Sequence, residues 1–313
     1  VHRLGTGWVV TGPDTAEHPE TGAELGASSA LVELRVPLPG GERLTLPIRV
    51  EDTVARGGSP VVTQSDAAQA MRALAARAAG GSVPEAADGV ARLTAAWTPD
   101  LRADHAAVSG APVEPSAHPA PDVLVGLAWP AVFAVIGDAA DDAGTPVVEG
   151  MLDLVHLDHA IAIGEIPSER AELSITATLR GVVDSSYGRV VTVDVDIVAG
   201  SGEVAALTER FAIRGRAGQG DLADPVRAGG VLGDDVRDTP RRKRATASVA
   251  APTDLRAFAA GTGDHNPIHT SVAAARLAGL GAPIVHGMWT SAAAQQQVVA
   301  QTGRRLEGWA TRF

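Results

Sequence analysis

The 313-residue chain contains no cysteine, which excludes disulfides and thiolate metal sites and fits a reducing cytoplasm. Aromatic residues are nearly as scarce, with five Trp, four Phe and one Tyr. Hydrophobic residues still make up 45% of the sequence, so its cores must be built from Val, Leu, Ile and Ala. Positive charge is in deficit: the net charge is −11, which argues against a nucleic-acid-binding surface. The only basic run, Arg241-Arg242-Lys243-Arg244, reads as a solvated patch. No apolar run approaches the ~18 residues of a membrane span and no signal peptide opens the sequence. Neither nucleic acid nor membrane is therefore expected as a partner.

The length allows two or three domains. Residues 1–98 read as a connective α+β region without chemistry. In it, Ser29–Val36 and Arg43–Val50 alternate with a period of two around Pro39-Gly40-Gly41, as a hairpin should, and Pro47 suits an edge strand. A helix is expected over Ala67–Ala79. Residues 99–122 are rich in Pro, Ser and Asp and read as a linker, with His105 and His118 solvated in it. Residues 123–216 form a second unit. The apolar, helical segment Trp129–Ile136 opens it, and strands follow in which Leu173, Ile175, Ala177 and Leu179, then Val191, Val193, Val195 and Ile197, mark one face. Residues 217–250 read as a second linker.

Residues 251–313 hold the densest constellation. Gly263-Asp264-His265-Asn266-Pro267-Ile268-His269 puts a carboxylate and an imidazole five residues apart around a proline. Pro267 fixes its own φ and pushes Asn266 out of the helical region, so the two side chains sit on a rigid extended turn. Unperturbed pKa values of about 3.9 and 6.5 make them an acid/base pair able to trade a proton near neutrality. Pro283-Ile284-Val285-His286-Gly287-Met288-Trp289 follows. A small-residue helix is expected from about Gly287 to Gln301, whose start leaves backbone N–H groups free for an oxyanion.

Gly-Asp-x-Asn-Pro-x-His followed by Pro-Ile-x-His-Gly-Met resembles the hydratase 2 motif of MaoC-like (R)-specific enoyl hydratases and dehydratases, over residues Thr253 to Gln301. The resemblance implies an α+β double hotdog, in which an antiparallel sheet wraps a central helix. Residues 123–216 become the non-catalytic hotdog, residues 1–98 connective or degenerate hotdog-like, and residues 251–313 the first part of the catalytic one. Twelve residues follow Gln301, enough for one strand at about 3.3 Å per residue but not for a sheet. The C-terminal hotdog is therefore expected to be incomplete and the chain a piece of a longer polypeptide. By itself it is expected to hydrate a crotonyl thioester little or not at all, and a version extended through the remaining strands to be active.

The composition, with its degenerate upstream unit, also resembles the dehydratase region of a bacterial type I multifunctional fatty acid synthase. What this implies is a cytoplasmic hydro-lyase that eliminates water from (3R)-hydroxyacyl thioesters on acyl carrier protein to give trans-2-enoyl thioesters. Its partners are the other domains of a homo-oligomeric synthase, and it needs neither cofactor nor metal. Asp264 and His269 share the proton transfers, Asn266 positions Asp264 or the water, and the Gly287 N–H is the oxyanion donor. A free-standing (R)-specific enoyl-CoA hydratase and a non-catalytic acyl-binding scaffold are the alternatives. His156 and His159, with Asp153 and Asp158 nearby, invite a metal. Residues three apart on an alternating strand point to opposite faces, so core or tunnel wall is the expectation for them.

Overall fold

The structure, a computed structural model, describes residues 8–27, 31–37, 43–49, 72, 75–76, 78–111, 118–139, 154–185, 188–200, 202–213 and 246–313. An N-terminal antiparallel sheet is formed in sequence order by β1 (Val9–Gly12), β2 (Thr15–His18), β3 (Ala23–Ala27), β4 (Leu31–Pro37) and β5 (Arg43–Arg49). The hairpin between the last two is as expected, and β5 is an edge strand in which Pro47 pairs opposite Glu33. Of the helix expected over Ala67–Ala79, Arg72, Ala75, Ala76 and Ala78 are helical and most of the rest lies outside the described residues. So do the basic run Arg241–Arg244 and most of the second linker.

A larger sheet follows. After β6 (Ala86–Ala87) and β7 (Val90–Trp97) come α1 (Asp100–Val108), a 3₁₀ turn (Pro121–Leu124) and α2 (Val125–Asp138). Then come β8 (Leu154–Ile163), β9 (Ala171–Ser185), β10 (Gly188–Ala199) and β11 (Gly202–Ile213). Beyond them lie α3 (Arg256–Thr262), α4 (Val272–Leu277), α5 (Gly287–Thr302) and β12 (Gly308–Arg312). The seven strands lie in the order β12-β8-β11-β10-β9-β7-β6, and every pairing is antiparallel.

This sheet curls around α2. The alternating residues Leu173, Ile175 and Ala177 of β9 and Val191, Val193, Val195 and Ile197 of β10 are all fully buried, as one face of a half-buried antiparallel sheet should be. They meet Trp129, Val132, Phe133 and Ile136 of α2 in one core. The architecture is the α+β hotdog expected from the sequence. With the 3₁₀ turn, α2 makes an 18-residue helical run, Pro121–Asp138, with mean hydropathy 1.4. That is long and apolar enough to cross a membrane, and longer than any apolar run read in the sequence, but 78% of it is buried inside the protein. Its apolarity is that of a core helix.

Three expectations change. Residues 90–97 belong with the second unit rather than the first region, because β7 (Val90–Trp97) pairs along β9. The hotdog sheet therefore draws strands from both sides of the central helix. Nor is the segment after it a linker throughout: it contains α1 and the Pro121–Leu124 turn, both packed against other helices. Finally, His105 is buried rather than solvated. Burial lowers its pKa to about 4, only partly opposed by the charge of Asp122, so at neutral pH it is an uncharged core imidazole.

α5 is not wrapped by a sheet of its own among the described residues. After it, β12 pairs with β8 at the edge of the large sheet. The segment that carries Asp264 and His269 is held to the first hotdog by a close backbone approach. A Cβ placed on Gly126, at the start of α2, would lie 2.4 Å from the Thr262 carbonyl oxygen at the end of α3. Gly126→Ala is expected to cost about 1–3 kcal/mol by forcing backbone apart, read as a lowered urea midpoint. An unchanged midpoint would mean that the two segments separate freely.

Candidate active site

The motif is built from local backbone chemistry. α3 closes at Gly263, whose φ of +76° reverses the chain at a left-handed position. Asp264 follows, buried, and its Oδ1 accepts the Asn266 N–H at 3.2 Å. Asn266 is extended (φ −56°, ψ 118°) ahead of Pro267, as expected. Its Oδ1 accepts the Ile268 N–H at 3.3 Å and opens the 3₁₀ turn Pro267–His269. Asn266 thus holds Asp264 through its backbone N–H, while its side-chain oxygen caps the turn.

His269 is fixed from the irregular segment that precedes α5. Its Nδ1 lies 2.9 Å from the Ile284 carbonyl oxygen. A carbonyl only accepts, so Nδ1 carries the proton and Nε2 of the neutral ring is a bare acceptor. Burial lowers the His269 pKa; the Asp264 charge and the Ile284 bond oppose that, and His156 reinforces it. His286 is completely buried and its Nε2–H donates to the Asp264 carbonyl at 3.1 Å. Burial brings its pKa down to about 4, against the opposing charge of Asp264. The two imidazoles stack at 3.8 Å with 25° between planes, which suits neutral rings.

Gly287 is the first residue of α5, with His286 as N-cap. At this end of a helix the N–H groups lack intrahelical acceptors. A Cβ on Gly287 would come within 2.8–2.9 Å of the Phe313 ring, so a side chain there would require that ring to shift. Asp264, Asn266, His269 and Gly287 all line one cavity of about 130 Å³. Its opposite wall is formed by Trp129 and Phe133 of α2, His156 of β8 and Phe211 of β11. The four residues singled out from the sequence are therefore brought together, and the cavity is closed by the first hotdog.

Asp264, His269 and His286 offer ligand atoms within 4.8 Å of one another. A shared metal is nevertheless a poor fit. Imidazole lone pairs lie in the ring plane, and two nearly parallel rings stacked at 3.8 Å direct them side by side rather than to one point about 2 Å away.

Sequence reasoning missed a second polar cluster. β8 and β11 pair residue for residue from Ile163↔Ala205 to Asp158↔Arg210, and then Phe211 pairs with His156. Leu157 is an extra, bulged residue, so His156 and His159 share a face. This overturns the expectation of opposite faces, whose alternation holds only in an unbroken strand. Both rings reach one carboxylate: His156 Nε2 to Glu209 Oε2 at 2.8 Å and His159 Nδ1 to Glu209 Oε1 at 2.7 Å. A signal was available in the sequence, since Glu209 occupies an inward position in phase with Leu207 and Phe211 where an apolar residue is normal.

Comparison with known proteins bears on the family and the fold. Residues 232–313 match the model of a family described as MaoC-like domain, and residues 1–81 match fatty acid synthase, SBS domain. A Mycobacterium tuberculosis protein named 3-hydroxyacyl-thioester dehydratase X is 39% identical over 75 residues, 22% of this chain and 27% of the relative. The chain thus spans about a quarter of that relative's length. Among solved structures, a MaoC-like dehydratase from Phytophthora capsici superposes with TM-score 0.52 at 18% identity, covering 72% of this chain and 80% of the other. The peroxisomal multifunctional enzyme type 2 of Drosophila melanogaster gives 0.50 at 19%, covering 72% and 40%. At such identities the two structures speak to the fold alone.

Proposed function

We propose, taking residues 232–313 as a MaoC-like domain and residues 1–81 as a fatty acid synthase SBS domain, that this chain is the 3-hydroxyacyl-thioester dehydratase segment of a cytoplasmic type I fatty acid synthase. The observation that carries the reading is the convergence of Asp264, His269 and Gly287 on one cavity. Its substrate is a (3R)-hydroxyacyl chain on acyl carrier protein, its product the trans-2-enoyl thioester, and its partners are the other domains of a homo-oligomeric synthase.

Elimination of water needs a base at the α-carbon, an acid at the β-hydroxyl and a donor for the enolate oxygen. The Asp264 carboxylate takes the α-proton. Protonated His269 gives its Nε2 proton to the departing hydroxyl, which leaves as water while the Cα–Cβ double bond forms. Burial that lowers the His269 pKa makes that imidazolium the stronger acid. The Gly287 N–H, at the positive end of α5, faces the charge that develops on the thioester oxygen. Proton exchange between Asp264 and His269 then resets the pair. Read backwards, neutral His269 with its Nδ1 proton tied to Ile284 activates water.

The test is hydration of a crotonyl thioester by the whole polypeptide that carries these residues, with substrate on acyl carrier protein and on coenzyme A. The expected result is (3R)-hydroxybutyryl product, faster on the carrier protein. A (3S) product or no hydration discards the reading, and equal or faster turnover of the coenzyme A ester favours an enoyl-CoA hydratase.

A further inference from the structure

On the first-hotdog wall of the cavity, the buried groups His156, Glu209 and His159 continue to Asp122, whose Oδ1 lies 3.1 Å from His159 Nε2. On the wall that carries Asp264 and His269, one buried side chain touches both of those residues and begins α5. His286 is completely buried and lies behind the residues that line the cavity. Its Nε2–H donates to the main-chain carbonyl of Asp264 at 3.1 Å. Its ring covers one face of His269, with 3.8 Å between centroids and 25° between planes. Its own carbonyl accepts the Trp289 N–H at 3.1 Å and the Thr290 N–H at 3.3 Å, as the N-cap of α5.

The ring is neutral for a geometric reason. Among the described residues, His286 Nδ1 is buried without a hydrogen-bond partner. A proton there would be a buried N–H with no acceptor, which is costly. Burial lowers its pKa to about 4 in agreement. The titratable groups acting on it are Asp264, His269 and His265, and His156 acts on His269 in addition. The Phe258 ring of α3 packs 5.1 Å away at 57°. A neutral ring adds no repulsion to the imidazolium form of His269. The position calls for an N–H in the plane of a flat ring whose face meets His269. Phenylalanine would supply only the face, and glutamine only the N–H.

We infer that His286 is a positioning residue of this site, one buried imidazole that fixes the Asp264 backbone through its Nε2–H and the His269 ring plane by stacking, and joins both to the start of α5. The inference rests on the dehydratase reading. Asp264 Oδ1 is tied to the Asn266 N–H, and His269 Nδ1 to the Ile284 carbonyl. Neither contact relates one member of the pair to the other. His286 does, because a single rigid ring touches both. A displacement of about 1 Å at a reacting group can cost 10²-fold in rate, so the ring matters to turnover although it meets no substrate. By covering one face of His269 it also keeps water from that face, which contributes to the burial that lowers the His269 pKa.

Three variants in the whole polypeptide test this. His286→Phe keeps the flat face and removes the donor. His286→Gln places an amide N–H near the position of Nε2 and removes the face, and His286→Leu removes both. Hydration of a crotonyl thioester is expected to lose about 10²-fold in kcat in His286→Leu, with KM altered far less, and to lose less in the other two. Neutral His269 is the active form in this direction, so the acid limb of kcat/KM follows its pKa. That limb should move up toward about 6.5 in His286→Gln and His286→Leu, where water reaches the uncovered face, and stay in place in His286→Phe. A ¹⁵N NMR titration of His269 reads the same shift without turnover. A purely structural role would lower the urea midpoint and leave the limb where it is. Parental kcat in His286→Leu, an acid limb unmoved in His286→Gln, or both partial variants no faster than His286→Leu would overturn the assignment and leave the dehydratase reading intact. Absence of turnover in the parent polypeptide discards that reading and this role with it. If His286→Leu does not fold, the contrast between His286→Gln and His286→Phe decides alone.

Discussion

Asp264→Asn is expected to lower enoyl-thioester hydration by about a thousandfold, and His269→Gln by a comparable factor, the middle of the range for losing a positioned acid or base. Neither should unfold the protein. The amide oxygen of an asparagine at 264 still accepts the Asn266 N–H, and His286 is bonded to the main-chain carbonyl of residue 264, not to its carboxylate. Urea midpoints close to the parent's would separate chemistry from folding. In the hydration direction neutral His269 is the active form, and burial lowers its pKa. The acid limb of kcat/KM is therefore expected below the ordinary histidine value of about 6.5. Near-parental rates in either variant would remove the pair from the mechanism.

Glu209→Leu is expected to be the most destabilising single substitution, costing about 3–5 kcal/mol, because it leaves buried histidines without the carboxylate that both address. The pH dependence gives this a direction. The His159 pKa is raised by Glu209 and Asp122, against burial, to about 10. Its contribution to stability is therefore complete below about pH 6.5 and is lost as pH rises toward 10. The parent's thermal midpoint should fall over that interval. In Glu209→Leu the midpoint should start lower and vary less, as followed by circular dichroism. A variant as stable as the parent at pH 7 would mean that the cluster carries no net stabilisation.

Much of the site was legible because its geometry is local. Pro267 restricts Asn266, Asn266 caps the turn that Pro267 opens, and Gly263 supplies the left-handed reversal. Each is a constraint between near neighbours. The small-residue helix from Gly287 was legible for the same reason, and so was the face of β9 and β10 that meets α2, since strict alternation reports burial residue by residue. Composition misled where it stood in for structure. Pro, Ser and Asp made the segment after Trp97 read as a linker, whereas His105 and Asp122 in it are both buried, Asp122 against Gln295 far away in sequence.

By itself, then, the sequence determined the Asp264–His269 turn, the helix start at Gly287 and the hotdog pattern of a central apolar helix with alternating strands. The tertiary structure alone decided that His156, Glu209, His159 and Asp122 form one chain ending at that cavity. The reason is physical. A bulge at Leu157 is a property of how β8 pairs with β11, and strand register is fixed by partners some fifty residues apart, as His156 and Glu209 are. A one-residue shift moves every later side chain to the other face, and no neighbour in sequence records that it has occurred.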